Sequence, residues 1–305
     1  MTTDYKLVTY QAGKEPHAGL LIDEAVFDAA TITGNAAYGT MLGILNDWNA
    51  AQPALESAAK TTNGGLPLEK TKLLAPVLYP SAIYCAGANY VDHMQEMARA
   101  HKVQEAADPR GEMQYPWHFL KAPRSIVGTQ AAVALPPHSK SVDWEAELAA
   151  VIGRPAKNIS EDQALQHVAG YTIGNDLSAR DGMSRAKLAP TSPFRFDWLS
   201  QKSFDGGCPL GPWLVPADQI PNPQKLGMKL WVNDVLKQDS NTSKMIFSLA
   251  EQIAFLSTRI TLHPGDVILT GTPAGVGMAR NEYLKRGDSV RVWIEGVGTL
   301  VNTMA

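Results

Sequence analysis

Val142-Asp143-Trp144-Glu145-Ala146-Glu147-Leu148-Ala149-Ala150-Val151-Ile152 mixes aromatic, aliphatic and acidic residues with no helix breaker, and it reads as a β-strand. Residues i and i+2 of a strand share a face, so Asp143, Glu145 and Glu147 line one side while Trp144, Ala146 and Leu148 take the other. Like charges on one face repel, and a bound cation removes that cost. With Asp176 in Gly174-Asn175-Asp176, the two glutamates form an oxygen-only donor set. Such a set suits Mg2+, Mn2+ or Ca2+ rather than Zn2+. Taken alone, Glu-x-Glu also fits a solvent-facing strand edge, because charged side chains ordinarily sit exposed.

Outward from this strand the chain is rich in short β-patterned runs separated by Gly and Pro turns. This predicts an α+β, β-rich fold with few helices. Residues 5–32 read as a hairpin, Lys6–Tyr10 and Ala18–Ile22 about a turn at Gly13, followed by Ala25–Phe27. A single helix is expected over 38–60, with Met41, Ile44, Leu45, Trp48, Ala51 and Leu55 at helical spacing. Pro67, Pro76 and Pro80 mark an irregular crossing, so the expected division is a small N-terminal unit, 1–73, and a larger unit, 74–305. A second helix is expected over Lys244–Leu256, burying Ile246, Leu249, Ile253 and Leu256.

Composition narrows the classes. The 305 residues are 45% hydrophobic and 19% charged, with a net charge of −3 and no basic stripe, which argues against nucleic acid as a partner. The N-terminal Met1–Lys6 has no charged-then-apolar pattern, and no apolar run nears the roughly 20 residues of a membrane span. A cytoplasmic protein without a membrane partner is the expectation. Cys85 and Cys208 lack both Cys-x-x-Cys spacing and a His neighbour, and read as buried packing residues.

Six motifs occur in order: Asn89–Glu96 (NYVDHMQE), Lys121–Ser125 (KAPRS), Val142–Leu148 (VDWEAEL), Gly174–Asp181 (GNDLSARD), Lys202–Asp205 (KSFD) and Leu269–Gly277 (LTGTPAGVG). From about residue 75 to the C-terminus the chain resembles the fumarylacetoacetate hydrolase (FAH) family. The resemblance implies an FAH-type mixed β-sandwich/β-roll for the larger unit, with the smaller hairpin-plus-helix unit before it. It also implies that Glu145, Glu147 and Asp176 bind a divalent metal, and that the protein is a homodimer.

His93 and Glu96 lie three apart, so on a helix capped by Asn89 they share a face and can hydrogen-bond. A carboxylate beside an imidazole fixes its tautomer and raises its basicity, although a plain surface pair has the same spacing. In the family this His-x-x-Glu pair activates water. Resemblance likewise places Lys202 against the metal site, where an ammonium stabilises an oxyanion, and Arg180 against a substrate carboxylate or carbonyl. A salt bridge from Arg180 to Asp181 or another acid is the alternative. Lys121 falls near the pocket, and Thr272 with the backbone N–H groups of the glycine-rich segment 270–277 offers a seat for a carboxylate. That segment lacks the Lys of a phosphate loop.

Two departures bear on substrate. Where many relatives carry Leu-Gln after Ala-Arg-Asp, this chain has Gly182-Met183, which replaces a polar contact. The segments 184–201, with Phe194, Phe196 and Trp198, and 98–118, with Tyr115 and Trp117, are long and aromatic; such rings ordinarily pack locally, and the alternative is that they cap a pocket for a bulkier or less polar acyl group. The leading functional expectation is hydrolytic C–C cleavage of a 1,3-diketo acid of the acylpyruvate or fumarylpyruvate type, in aromatic or related catabolism. Decarboxylation of oxaloacetate or isomerisation of a 2-hydroxy-dienoate uses the same metal-bound enolate and is the alternative. A β-rich binding module with a structural cation is the third reading, and it leaves His93, Glu96 and Lys202 without a purpose.

Overall fold

The structure is a computed structural model, and it describes residues 4–60 and 64–305. The long strand is Ala146–Ile152, and every residue in it is buried, which removes the solvent-facing reading of Glu-x-Glu. Its side chains alternate between two cores. Ala146, Leu148, Ala150 and Ile152 pack with Ile173, Met228, Val292, Leu249 and Ile253, whereas Ala149 and Val151 pack with Leu7, Leu20, Ile44, Trp48 and Leu214. A strand flanked on both faces cannot expose a carboxylate, so Glu147 is fully committed to the interior.

Around this strand lies a mixed sheet of eleven strands among the described residues. Ala146–Ile152 pairs antiparallel with Val168–Asn175 on one side and with Val267–Leu269 on the other. Val267–Leu269 continues in parallel to Ile83–Ala86, which pairs with the edge strand His118–Lys121. In the other direction Val168–Asn175 leads to Cys208–Pro216, then to the meander Lys6–Ala12, Glu15–Ile22 and Ala25–Asp28. The N-terminal strands are thus hydrogen-bonded into the sheet that carries the acidic residues. A second sheet of five strands, including Gly227–Val232, Ser289–Ile294 and Gly298–Met304, covers the first core. This strand-rich α+β architecture agrees with the sequence reading.

Several local expectations are corrected. The acidic strand is interrupted: Val142–Asp143 ends before Trp144, and the ladder resumes at Ala146. Two side-chain amides fill the gap, with Asn175 Oδ1 accepting from Glu145 N at 3.0 Å and Gln238 Oε1 accepting from Ala146 N at 2.9 Å. The helix expected over 38–60 is three pieces, a 3-10 turn Ala36–Gly39, then Met41–Asn46 and Trp48–Ala59. Thr40 restarts the helix by accepting from Gly43 N, and Asp47 interrupts it while accepting from the Tyr38 hydroxyl at 2.7 Å. The later helix is Leu249–Arg259, not Lys244–Leu256. Ser248 and Glu251 form a reciprocal capping box that sets its start, and Lys244 ends a separate 3-10 turn.

One buried histidine should make the fold acid-sensitive. His118 packs beside Phe255, with ring centroids 6.2 Å apart, and both ring nitrogens are buried without a hydrogen-bond partner among the described residues. Burial, partly opposed by Gln252, lowers its pKa from 6.5 to about 4. Between these values the unfolded chain binds the extra proton, so stability falls as pH falls from about 6.5 toward 4. By pH 5 the loss from this one group is about 2 kcal/mol, using the cited shift. Urea midpoints at pH 7 and pH 5 should therefore converge in His118→Phe relative to wild type. An unchanged pH dependence in that variant contradicts the assignment.

Candidate metal centre

Glu145, Glu147 and Asp176 converge at the broken end of the strand and the turn after Val168–Asn175, and one oxygen from each lies within 4.8 Å of the others. Three buried carboxylates this close repel strongly. Three cations of the chain answer them. Lys121 Nζ donates to Asp176 Oδ1 at 2.6 Å, and Lys202 Nζ donates to Asp176 Oδ2 at 2.7 Å and to Glu145 Oε2 at 2.8 Å. Arg180 bridges Glu145 Oε1, at 2.5 Å, and Asp143 Oδ2, at 2.9 Å. Arg180 therefore makes the salt bridge that the sequence left as one of two options, but with Asp143 and Glu145 instead of Asp181.

Counting Asp143, four carboxylates face three fixed cations. A divalent cation turns this formal deficit of one into an excess of one, which favours an anionic ligand. Among the described residues Glu147 is the cluster carboxylate that makes no ion pair. Burial, then Asp176 and Glu145, push its carboxyl well above the usual range. Burial acts the same way on Glu145, but Lys202 and Arg180 outweigh it and hold that carboxyl well below the usual range. Oxygen donors of this number and burial suit a hard divalent ion.

The glycine-rich segment works inward. Gly271 N donates to Glu147 Oε2 at 2.7 Å, Gly275 N to Glu96 Oε2 at 2.7 Å, and Gly277 N and Met278 N to the two oxygens of Asp143 at 2.6 and 3.0 Å. Thr272 Oγ1 donates to Ala146 O and accepts from Gln238 Nε2, both at 2.9 Å. These donors aim the protein's own carboxylates, in place of the substrate carboxylate that the sequence assigned to them. Gly277 is held to glycine by space, since a Cβ there meets Glu282 O at 2.1 Å.

His93 and Glu96 stand on the helix Val91–His101. Its N-cap is Tyr90. Asn89 instead ties Phe247 and Thr270 together with its side-chain amide, correcting the expected cap. Among the described residues no hydrogen bond joins His93 to Glu96. Glu96 is spent on Gly275 N, and His93 Nδ1 is buried without a partner while the residue borders the cavity. Burial, then Arg180 and Lys202 against the opposing pull of Glu145, lowers the His93 pKa to about 4, so the imidazole is neutral at pH 7.

A cavity of about 310 Å3 opens onto this cluster. His93, Glu145, Arg180, Lys202 and Thr272 border it, whereas Glu147, Asp176, Lys121 and Glu96 do not. The aromatic segments divide. Trp117 and Trp198 line the cavity, but Phe194 and Phe196 are 70% and 54% exposed away from its lining, and Tyr115 stacks on Phe255 at 5.3 Å. Met94, Met97 and Met278 complete the wall with Met183. The first two were legible as the +1 and +4 neighbours of His93 on one helix; Gln238, the buried tie under Thr272, gave no sequence signal. Cys85 and Cys208 are buried, as expected.

Residues 82–305 match the family model for the C-terminal domain of fumarylacetoacetate (FAA) hydrolase. Rat (Rattus norvegicus) mitochondrial oxaloacetate tautomerase Fahd2a is 38% identical over 308 residues, spanning 97% of this chain and 90% of that protein. The crystal structure of maleylpyruvate hydrolase from Sphingobium sp. SYK-6, in complex with manganese(II) and pyruvate, superposes with a TM-score of 0.76 at 30% identity and covers 98% of each chain. That of 2-hydroxyhepta-2,4-diene-1,7-dioate isomerase from Mycobacterium marinum gives a TM-score of 0.70 at 31% identity, covering 99% of this chain and 98% of that one. The mitochondrial location in the rat protein's name lends no support to the cytoplasmic expectation. Among the described residues, no helix is long and apolar enough to cross a membrane.

Proposed function

This chain belongs to the fumarylacetoacetate hydrolase family, and on that footing we propose that it catalyses keto–enol tautomerisation of a small 2-oxo acid, with oxaloacetate the first compound to test. One observation supports the choice over hydrolysis: His93 borders the cavity with Nδ1 buried and unpartnered among the described residues, and Glu96 accepts from Gly275 N instead of bonding to His93. An imidazole with an uncommitted ring nitrogen can move a proton on and off carbon, and the carboxylate that would orient it towards a water is engaged by Gly275 N. The near-full-length tautomerase relative supports the same reading.

Glu145, Glu147 and Asp176 would hold the divalent cation, Mg2+ or Mn2+ in the first instance, consistent with manganese in the maleylpyruvate hydrolase. When bound, the ion supplies Lewis-acid stabilisation of negative charge on the 2-oxo oxygen. Lys202 is kept protonated: burial opposes this, but Asp176 and Glu145 raise its pKa, so its ammonium adds positive charge on the same side. His93 accepts the C3 proton, and a proton returned to the 2-oxo oxygen completes the enol; the reverse sequence gives the ketone. No atom is gained or lost. Arg180, fixed by Asp143 and Glu145, orients these two carboxylates and offsets part of their charge.

A second reading has its own support. The 30% identical maleylpyruvate hydrolase keeps C–C hydrolysis of a 1,3-diketo acid in view, with Glu96 released from Gly275 to orient His93. The test is a product panel on the Mn2+-loaded and Mg2+-loaded protein: decay of the enol absorbance of oxaloacetate, pyruvate release from oxaloacetate, and cleavage of acylpyruvates. Enol decay outrunning both other reactions is expected. Acylpyruvate cleavage as the fastest reaction would restore hydrolysis to first place.

A further inference from the structure

The apolar part of the cavity lining has a different chemistry from the charged floor. Met94, Met97, Met183, Met278, Trp117 and Trp198 form its wall. The wall is built and not incidental. Trp117 and Trp198 pack at 4.7 Å between centroids, and Trp198 stacks on Phe119 at 5.4 Å. Phe119 in turn lies under Lys202 Nζ at 4.9 Å, joining the wall to the floor. Trp117 needs the glycine beneath it, because a Cβ at Gly87 would sit 2.3 Å from its ring. Thioethers and indoles together make an adaptable apolar surface that favours flat or branched hydrocarbon groups.

The cations at the floor are already paired. Arg180 is shared between Asp143 and Glu145, and Lys202 between Glu145 and Asp176. His101 at the rim is the remaining basic residue of the lining besides His93. With a divalent cation bound the floor has a formal excess of one positive charge for one carboxylate and a 2-oxo group, whereas a second carboxylate pointed into the wall meets methionine and tryptophan, with Gln201 the amide of the lining. Desolvating it without a partner is costly.

We infer that this vestibule receives the C3 substituent of the 2-oxo acid, and that the preferred substituent is an apolar aryl or branched alkyl group. The inference rests on the 2-oxo acid reading of the floor but not on which bond is made or broken there. It gives Met183 a role: a thioether side chain in the cavity lining selects for hydrocarbon.

The test is a binding equilibrium, read by calorimetry on the Mn2+-loaded protein with pyruvate, oxaloacetate and phenylpyruvate. Burial of the aryl ring should make phenylpyruvate roughly 10- to 100-fold tighter than either of the others. Met183→Gln, on a partly exposed turn, and Gly87→Ala, which displaces Trp117, should each cut the phenylpyruvate-to-pyruvate affinity ratio by roughly fivefold or more. Oxaloacetate binding as tightly as phenylpyruvate, or ratios unmoved in both variants, overturns the inference. The two proposals fail separately. Preferential phenylpyruvate binding without C3 proton exchange leaves the vestibule standing and removes the tautomerase, while exchange without the preference does the reverse.

Discussion

Glu147→Gln should abolish divalent-metal binding and lower turnover by about 1000-fold, the scale of a metal's several kcal/mol of charge stabilisation. The substitution keeps the volume, and its amide oxygen still accepts from Gly271 N, the donor now 2.7 Å from Glu147 Oε2. Only the charge goes. Because burial together with Asp176 and Glu145 destabilises a charged Glu147 in the metal-free protein, the variant should melt no lower than metal-free wild type. Added Mn2+ should then raise the wild-type melting temperature and leave the variant's unmoved. Unchanged metal affinity in Glu147→Gln would mean that the acidic cluster is held by Lys121, Lys202 and Arg180 for stability alone.

His93→Ala should reduce tautomerisation by about 100- to 10,000-fold, the range for loss of a general acid–base group. Metal binding should persist, since no carboxylate of the cluster is touched. Glu96→Gln discriminates the two readings. Glu96 makes no bond to His93 and accepts from Gly275 N, which a glutamine oxygen reproduces, so tautomerisation should fall by less than about tenfold. If hydrolysis is the reaction, both variants should lose activity to a similar large extent. The measurement is kcat and KM for each variant at saturating Mn2+, with a metal titration confirming occupancy.

Much of the centre was legible because it lies in short, chemically loaded motifs. Glu-x-Glu marked two carboxylates that the structure keeps together although the strand breaks at Trp144 and Glu145, and the family resemblance, not spacing, pointed to Asp176, Lys202 and Arg180 as their neighbours. Sequence alone could not tell what these side chains do to one another. The pairing of Arg180 with Asp143, 37 residues earlier, and of Lys121 with Asp176, 55 residues later, is set by the sheet. Local rules erred where tertiary partners override them. The acidic strand breaks at Trp144 because Asn175 and Gln238 replace its ladder, and Asn89 abandons the cap to bond Phe247, 158 residues away. The glycine-rich segment was read as a seat for a ligand because its N–H groups are anion-seeking; the anions it finds are Glu147, Glu96 and Asp143. Helix boundaries moved for a local reason, the capping competition at Thr40, Asp47 and Ser248. Of the aromatic loop residues, composition could not sort Trp117 and Trp198, which reach the cavity, from Phe194 and Phe196, which do not.

Proton exchange at C3 of oxaloacetate in D2O, followed by NMR at early times, separates these chemistries in one experiment. Mn2+ is paramagnetic, so the Mg2+-loaded protein is the sample, with chelated protein and Mg2+ alone as controls. The expected result is enzyme-dependent deuterium incorporation at C3, faster than in both controls and faster than any pyruvate formation, and lost in His93→Ala. Exchange no faster than with Mg2+ alone, or carbon–carbon bond breakage keeping pace with it, would contradict enol tautomerisation by His93.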